Sequence, residues 1–172
     1  MPAYHCARVL QTAGCQRKYN SSNCVSPHRL GEPLIWVKPA ALKILALDTS
    51  TEYCSLALWL DGELLSREVL AGQQHSELLL PLLQELLEEA GLTLARLDGI
   101  AFGAGPGSFT GLRIACGVAQ GLAFGANLPV IGVGTLEALA QQAGSDSVIA
   151  VLDARMGEIY HAVYEKRGGV WN

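Results

Sequence analysis

The run GPGSFTGLR, residues 105–113, gathers the residue types of an anion site. Gly105, Gly107 and Gly111 allow a tight turn and a close approach to a ligand or a neighbouring chain, because no Cβ stands in the way. Ser108 and Thr110 add hydroxyls, and Arg113 a cation. Ile100, Ala101 and Phe102 precede the run as an apolar strand, and 114–124 follow as a helix. The free N–H groups of that helix start would point at whatever the loop holds. This is not a Walker loop: GxxxxGK[ST] is absent and no lysine follows the last glycine. A tight strand-to-helix turn without a ligand uses the same residues. Asp48, followed by Thr49, Ser50 and Thr51, places a carboxylate beside three hydroxyls. Such a group can hold a hydrated divalent ion and a nucleotide phosphate, or simply satisfy the backbone of a turn. Together with Asp153, these segments would frame a nucleotide cleft between two lobes.

Other chemistry is sparse. His75 and His161 stand alone at metal spacing in the ordered part, and nothing sets Ser108 or Cys116 beside a base, so no hydrolase arrangement emerges. Cys6, Cys15 and Cys24 recur every nine residues near His5 and His28, yet the close CxxC pairing of zinc sites is missing. Cys54 and Cys116 lie in apolar segments, as buried thiols do in a reducing compartment.

The elements that must position these groups begin at Lys43. Residues 1–42 are rich in breakers (Ser26-Pro27, Gly31, Pro33, Pro39) and read as a disordered N-terminal extension. The apolar runs 44–47, 54–60 and 63–70 form a meander whose second turn is Asp61-Gly62, a strong hairpin signal. Residues 76–91 read as a helix capped by Ser76, stopped by Gly91 and interrupted by Pro81. Its leucines (78, 79, 80, 82, 83, 86, 87) exceed a one-sided stripe. Each buried leucine is worth about 1.5–3 kcal/mol, so the surplus either seeks a partner or goes deeper into its own fold. Strand 97–102, the glycine loop, helix 114–124, a strand at 129–133 and a helix from Thr135 to about Ala143 follow. In the second helix Gly117, Gly121 and Gly125 recur every four residues, leaving one face nearly bare. Strands 148–152 and 158–164 repeat the opening pattern, with Asp153 in the place of Asp48. This order predicts an α/β fold, a mixed sheet with flanking helices: a first lobe at 43–145 and the start of a truncated second lobe at 146–172.

Half the residues are hydrophobic, enough for a substantial core. Charge is uneven: 1–43 carry six Lys/Arg against one acid, whereas 44–172 carry six against 15, a net of −9. A body that negative repels a phosphate backbone and does not grip nucleic acid alone.

Four segments, ILALDTSTEYCSLALWLDGELL, HSELLLPLLQELLEEAGL, GIAFGAGPGSFTGLRIACGVAQGLAFGANLPVIGV and VLDARMGEIYHAVY, resemble the bacterial TsaB (YeaZ) family almost without interruption over 44–166. The resemblance implies the actin/Hsp70-like (ribonuclease H-like) fold and a role in making N6-threonylcarbamoyladenosine in tRNAs that read ANN codons. It implies a non-catalytic subunit that pairs with a TsaD-like transferase, is joined by a TsaE-like ATPase, and also forms homodimers. tRNA is then met only through the complex, and the setting is cytoplasmic, away from membranes. Pairing through first-lobe helices carries over to Leu79, Leu82, Leu83 and Leu86, and to Gly117 and Gly121. TsaD-like relatives bind a metal through two histidines four apart after the PV strand. Thr135 and Leu139 stand there in this sequence, so neither metal nor transfer chemistry is expected. No tightly bound cofactor is implied; ATP or ADP with magnesium can bind at the interface of the complex, and the alternative reading is a nucleotide-binding kinase or ATPase of the actin-like superfamily. The family also starts near Lys43 and runs well beyond Asn172, so this chain reads as a fragment or a truncated product.

Overall fold

The computed structural model describes residues 42–167 and 170–171. The readings for the N-terminal segment and for Cys6, Cys15 and Cys24 lie outside these residues. Strands β1 (Lys43–Asp48), β2 (Tyr53–Leu60) and β3 (Glu63–Leu70) form the meander. Helix α1 (His75–Glu89), a 3₁₀ turn at Leu94–Arg96, β4 (Gly99–Gly105), α2 (Phe109–Ala126), β5 (Val130–Gly134) and α3 (Thr135–Ala140) follow. The chain continues into β6 (Ser147–Arg155), β7 (Glu158–Arg167) and β8 (Val170–Trp171).

The first five strands make one sheet in the order β3-β2-β1-β4-β5, with β1 antiparallel to β2 and parallel to β4. This is the actin-like, ribonuclease H-like arrangement that the resemblance implied. The β2–β3 turn has Asp61 and Gly62 at φ 52 and 109, both left-handed, as a two-residue turn between right-twisted strands requires. One face of the sheet turns Leu45, Leu47, Leu56 and Leu58 toward α1 and α2, whose Leu79, Leu86, Ala115 and Ala119 complete the main core. The other face is lined by Ala46, Ala57 and Ala101 and meets Ala138 of α3. Small side chains let that helix sit close.

Element ends differ from the sequence reading for physical reasons. Helix α1 starts at His75, whose ring is buried, and its N-cap is Gln74 without a side-chain bond; Ser76 lies inside the helix and exposed. Pro81 faces water and the helix runs through it. Gly91 at φ 62 ends it, and Leu92 donates its N–H to the Leu87 carbonyl. Helix α2 begins at Phe109, five residues before Ile114, because Ser108 caps it. Strand β4 runs on to Gly105, into the glycine run itself. Gly134 is the N-cap of α3, Thr135 is its first residue, and the helix stops at Ala140.

Strands β6, β7 and β8 form a second, antiparallel sheet. Trp171 Nε1 donates to Gln141 Oε1 at 2.6 Å, just beyond α3, and the Tyr164 ring meets Trp171 edge-on. Burial, helped by the Glu137 carboxylate, raises the Tyr164 phenol above its usual pKa.

Candidate functional site: the glycine loop and the outer helical face

The carboxyl ends of β1 and β4 bring Asp48, Thr49 and the glycine loop together, as the spacing suggested. What the glycines approach is the chain itself. A Cβ on Gly111 would lie 1.7 Å from the Thr49 carbonyl oxygen, and one on Gly107 would lie 2.7 Å from Ser50 Cβ. Gly103, which sequence reasoning missed, would place a Cβ 2.7 Å from the Asp48 carboxylate. The contacts are locked by hydrogen bonds. Thr49 Oγ1 donates to the Gly111 carbonyl at 2.7 Å, and the Ser108 N–H donates to the Ser50 carbonyl at 2.7 Å. Ser108 Oγ accepts from the Gly111 N–H at 3.4 Å and so caps α2. Gly105 takes φ 96, a backbone state that favours glycine. Gly107 and Gly111 are thus required by the β1–β2 turn and Gly105 by its own backbone state, and none needs a phosphate to explain it.

The charged residues of that group make local contacts. Asp48, buried, accepts the Ser50 N–H at 2.6 Å; Asp153, exposed, accepts the Arg155 N–H at 2.7 Å. Both aspartates do the same local work, a side chain closing the turn two residues on. Arg113 and Thr110 are exposed on α2, and the Arg113 guanidinium sits over the Phe109 ring at 5.2 Å. Cys54, beside this turn, is wholly buried, and burial, with the Asp48 charge second, pushes its thiol from 9.0 to about 11. Folding stability should therefore fall as pH rises from 9 toward 11, because the unfolded thiol ionises there and the folded one does not. A maleimide at neutral pH is expected to label the half-buried Cys116 far faster than Cys54, read by mass spectrometry of the peptides.

The helical layer corrects the partner reading. Leu79, Leu82, Leu83 and Leu86 all face the sheet and are buried in this chain's own core. The surplus leucines went inward, so these four offer no docking surface. Gly117 and Gly121, by contrast, are exposed, and a Cβ at either would meet nothing within 4 Å. Also exposed are Phe109 and Phe124 of α2, which the sequence reading did not single out, and Leu80 of α1, which it counted only among the surplus leucines. Phe124 is 92% exposed, Phe109 73% and Leu80 51%. Their signal lay in the ladder of α2, where Gly111, Ala115, Ala119 and Ala123 are buried. Residues 113, 117, 121 and 125 necessarily occupy another side.

Residues 68–171 match the family model described as TsaD, tRNA N6-adenosine threonylcarbamoyltransferase. The tRNA threonylcarbamoyladenosine biosynthesis protein TsaB of Escherichia coli (strain K12) is 48% identical over 136 residues, 76% of this chain. The chain belongs to the TsaB (YeaZ) family. The Haemophilus influenzae member is 51% identical over 123 residues, 69% of this chain. The solved YeaZ from Pseudomonas aeruginosa superposes with a TM-score of 0.69 at 47% identity, covering 76% of this chain and 63% of its own. The chain spans 59% of the Escherichia coli relative and 52% of the Haemophilus one. At the two positions where TsaD-like relatives would carry histidines, Thr135 stands buried at the start of α3 with its hydroxyl unpartnered, and Leu139 lies one turn on, half-buried. Among the described residues no three His, Cys, Asp or Glu side chains gather as a metal would need.

Proposed function

We propose that this chain serves the formation of N6-threonylcarbamoyladenosine in tRNA as a non-catalytic pairing subunit. Its outer α1–α2 face docks a TsaD-like transferase, with a TsaE-like ATPase as a further partner and a homodimer as the competing state. The observation that carries this reading is the outer face of α2. Two exposed phenylalanines bracket bare backbone at Gly117 and Gly121, a surface on which a partner helix can lie closely. Thr135 and Leu139 lack imidazoles, which supports leaving the transfer step to the partner. The chain's acidic body supports contact with tRNA only through the complex. No described helix is long and apolar enough to cross a membrane.

Gel filtration of the chain with a TsaD-like partner tests the reading. Co-elution is expected, and Phe124→Glu should weaken it by at least about tenfold, or 1.4 kcal/mol, while circular dichroism stays unchanged. Undiminished pairing by that variant moves the interface elsewhere. Calorimetric titration of the isolated chain with ATP and magnesium separates this role from that of a kinase-like ATPase. Tight binding with turnover would favour the latter.

A further inference from the structure

Strand β6 has the sequence of an interior strand and the position of an edge strand. Val148 to Leu152 is an unbroken apolar run, the pattern of a strand covered on both faces. Ala150 is 4% exposed and α3 packs on the strand. The other face is open: Ile149 is 67% exposed, Val151 48%, and Val163 of β7, beside Ile149 by register, 65%. In the small sheet β6 pairs with β7 on one side, and no described strand lies on the other. The corresponding strand of the large sheet, β1, has β2 on one side and β4 on the other. The Lys166 N–H donates to the Asp146 carbonyl at 2.7 Å. By the alternation of an antiparallel ladder, the even-numbered residues of β6 therefore bond β7. The N–H and C=O groups of Ser147, Ile149, Val151 and Asp153 point to the open edge. The large sheet guards its edges: β3 carries Glu63, Arg67 and Glu68, and β5 is five residues long with a break in its register. Strand β6 has no lysine, no proline and no charge between Ser147 and Asp153.

We infer that this edge takes the β6 edge of a second copy of the chain, antiparallel about a twofold axis at Ala150. Strand β6 keeps its register with β7 from Ser147 to Asp153 and shifts only between Asp153 and Arg155. Ala150 is the midpoint of that regular stretch. An axis there sets Ile149 against Val151 of the second copy, and Ser147 against its Asp153, each pair occurring twice. All four are residues whose backbone groups point outward, so the two strands exchange about eight hydrogen bonds. Arg155 falls opposite Ser145 of the second copy, so no two like charges oppose each other across the join. The exposed aliphatic side chains of the two strands then lie side by side, flanked by Val163, and form cross-strand pairs instead of standing in water. The contact closes on itself, because each open edge is used up by the other. A single strand pair stays below about 1,200 Å² and belongs to the weak class of interfaces, so the pairing is reversible.

Sedimentation equilibrium of the full chain from about 1 to about 300 µM tests this, and a reversible monomer–dimer equilibrium is expected. Amide hydrogen exchange, read residue by residue, locates the contact. The Ile149 and Val151 amides should exchange several-fold more slowly at the highest concentration than at the lowest, while those of Val148 and Ala150, bonded to β7, stay unchanged. Val151→Pro removes an outward N–H and none that bonds β7, a place where an edge strand tolerates proline. It should weaken the dimer at least about tenfold. Ile149→Lys with Val151→Lys changes two exposed positions and should do the same, by setting lysine against lysine across the axis. Circular dichroism reports that each variant is folded, and the lysine pair decides the matter if the proline variant is not. A chain that stays monomeric throughout, or a dimer that the folded variants leave intact, overturns the proposal. So does a dimer lost in Phe124→Glu, which belongs to the helical face. A dimer in which the Ile149 and Val151 amides exchange unchanged also overturns it, because the copies then meet elsewhere than at this edge.

Discussion

Gly111→Ala is expected to be the most damaging methyl group that can be added to this chain. Its Cβ would sit 1.7 Å from the Thr49 carbonyl oxygen and 2.8 Å from the carbonyl carbon, so backbone must yield on one side or the other. Overpacking usually costs about 1–3 kcal/mol and sometimes more. Here the obstacle is main chain at the end of the central strand, so a loss above about 3 kcal/mol is expected. Gly117→Ala and Gly121→Ala share the same helix but meet open space. They should stabilise the free chain by up to about 1 kcal/mol through helix propensity. Urea midpoints of the three variants read the contrast directly. A Gly111→Ala chain as stable as the parent would refute the close approach between α2 and the β1–β2 turn.

Leu86→Ala should cost about 2–5 kcal/mol, the range for a fully buried leucine whose cavity cannot collapse. The double change Leu82→Glu with Leu86→Glu goes further. It would bury two carboxylates in the layer between α1 and the sheet, and the chain should lose its far-ultraviolet circular dichroism. The same pair is therefore useless as a probe of pairing. Leu80→Glu is the appropriate change on α1, since that side chain is half in water, and it should alter stability by no more than about 0.5 kcal/mol. A folded Leu82→Glu, Leu86→Glu chain that simply fails to pair would restore the outward-facing leucines and overturn the packing described.

Much of the frame was legible because it rests on local chemistry. Asp61-Gly62 sets a turn whatever surrounds it, and Gly91 ends α1 because a left-handed residue cannot extend a helix. The Asp48 and Asp153 repeat could be read because each carboxylate reaches an amide only two residues away. The cap of α1 and the start of α2 were misplaced. Capping depends on which residue the core draws in: His75 is buried while Ser76 faces water, and Ser108 is held by the Ser50 carbonyl from a distant turn.

The partner-facing side of the helices was legible only in part. Leucine count says how much apolar surface α1 owns but not how much the sheet can take. With Leu45, Leu47, Leu56 and Leu58 facing it, the sheet takes four leucines of α1 and leaves Leu80 outside. Phe109 and Phe124 read as core types, and only the rotation of α2, fixed by its buried alanines, turns them to solvent.

The amino-acid order alone settled the strand and helix types, the hairpin and the family, all of which depend on neighbours within a few residues or on motifs read as strings. Tertiary structure decided what the glycines are for and which apolar side chains are left over. Both are questions of what lies within a few ångströms across a gap of sixty residues. Such distances exist only once β1 and β4 lie side by side and α2 has been laid across them.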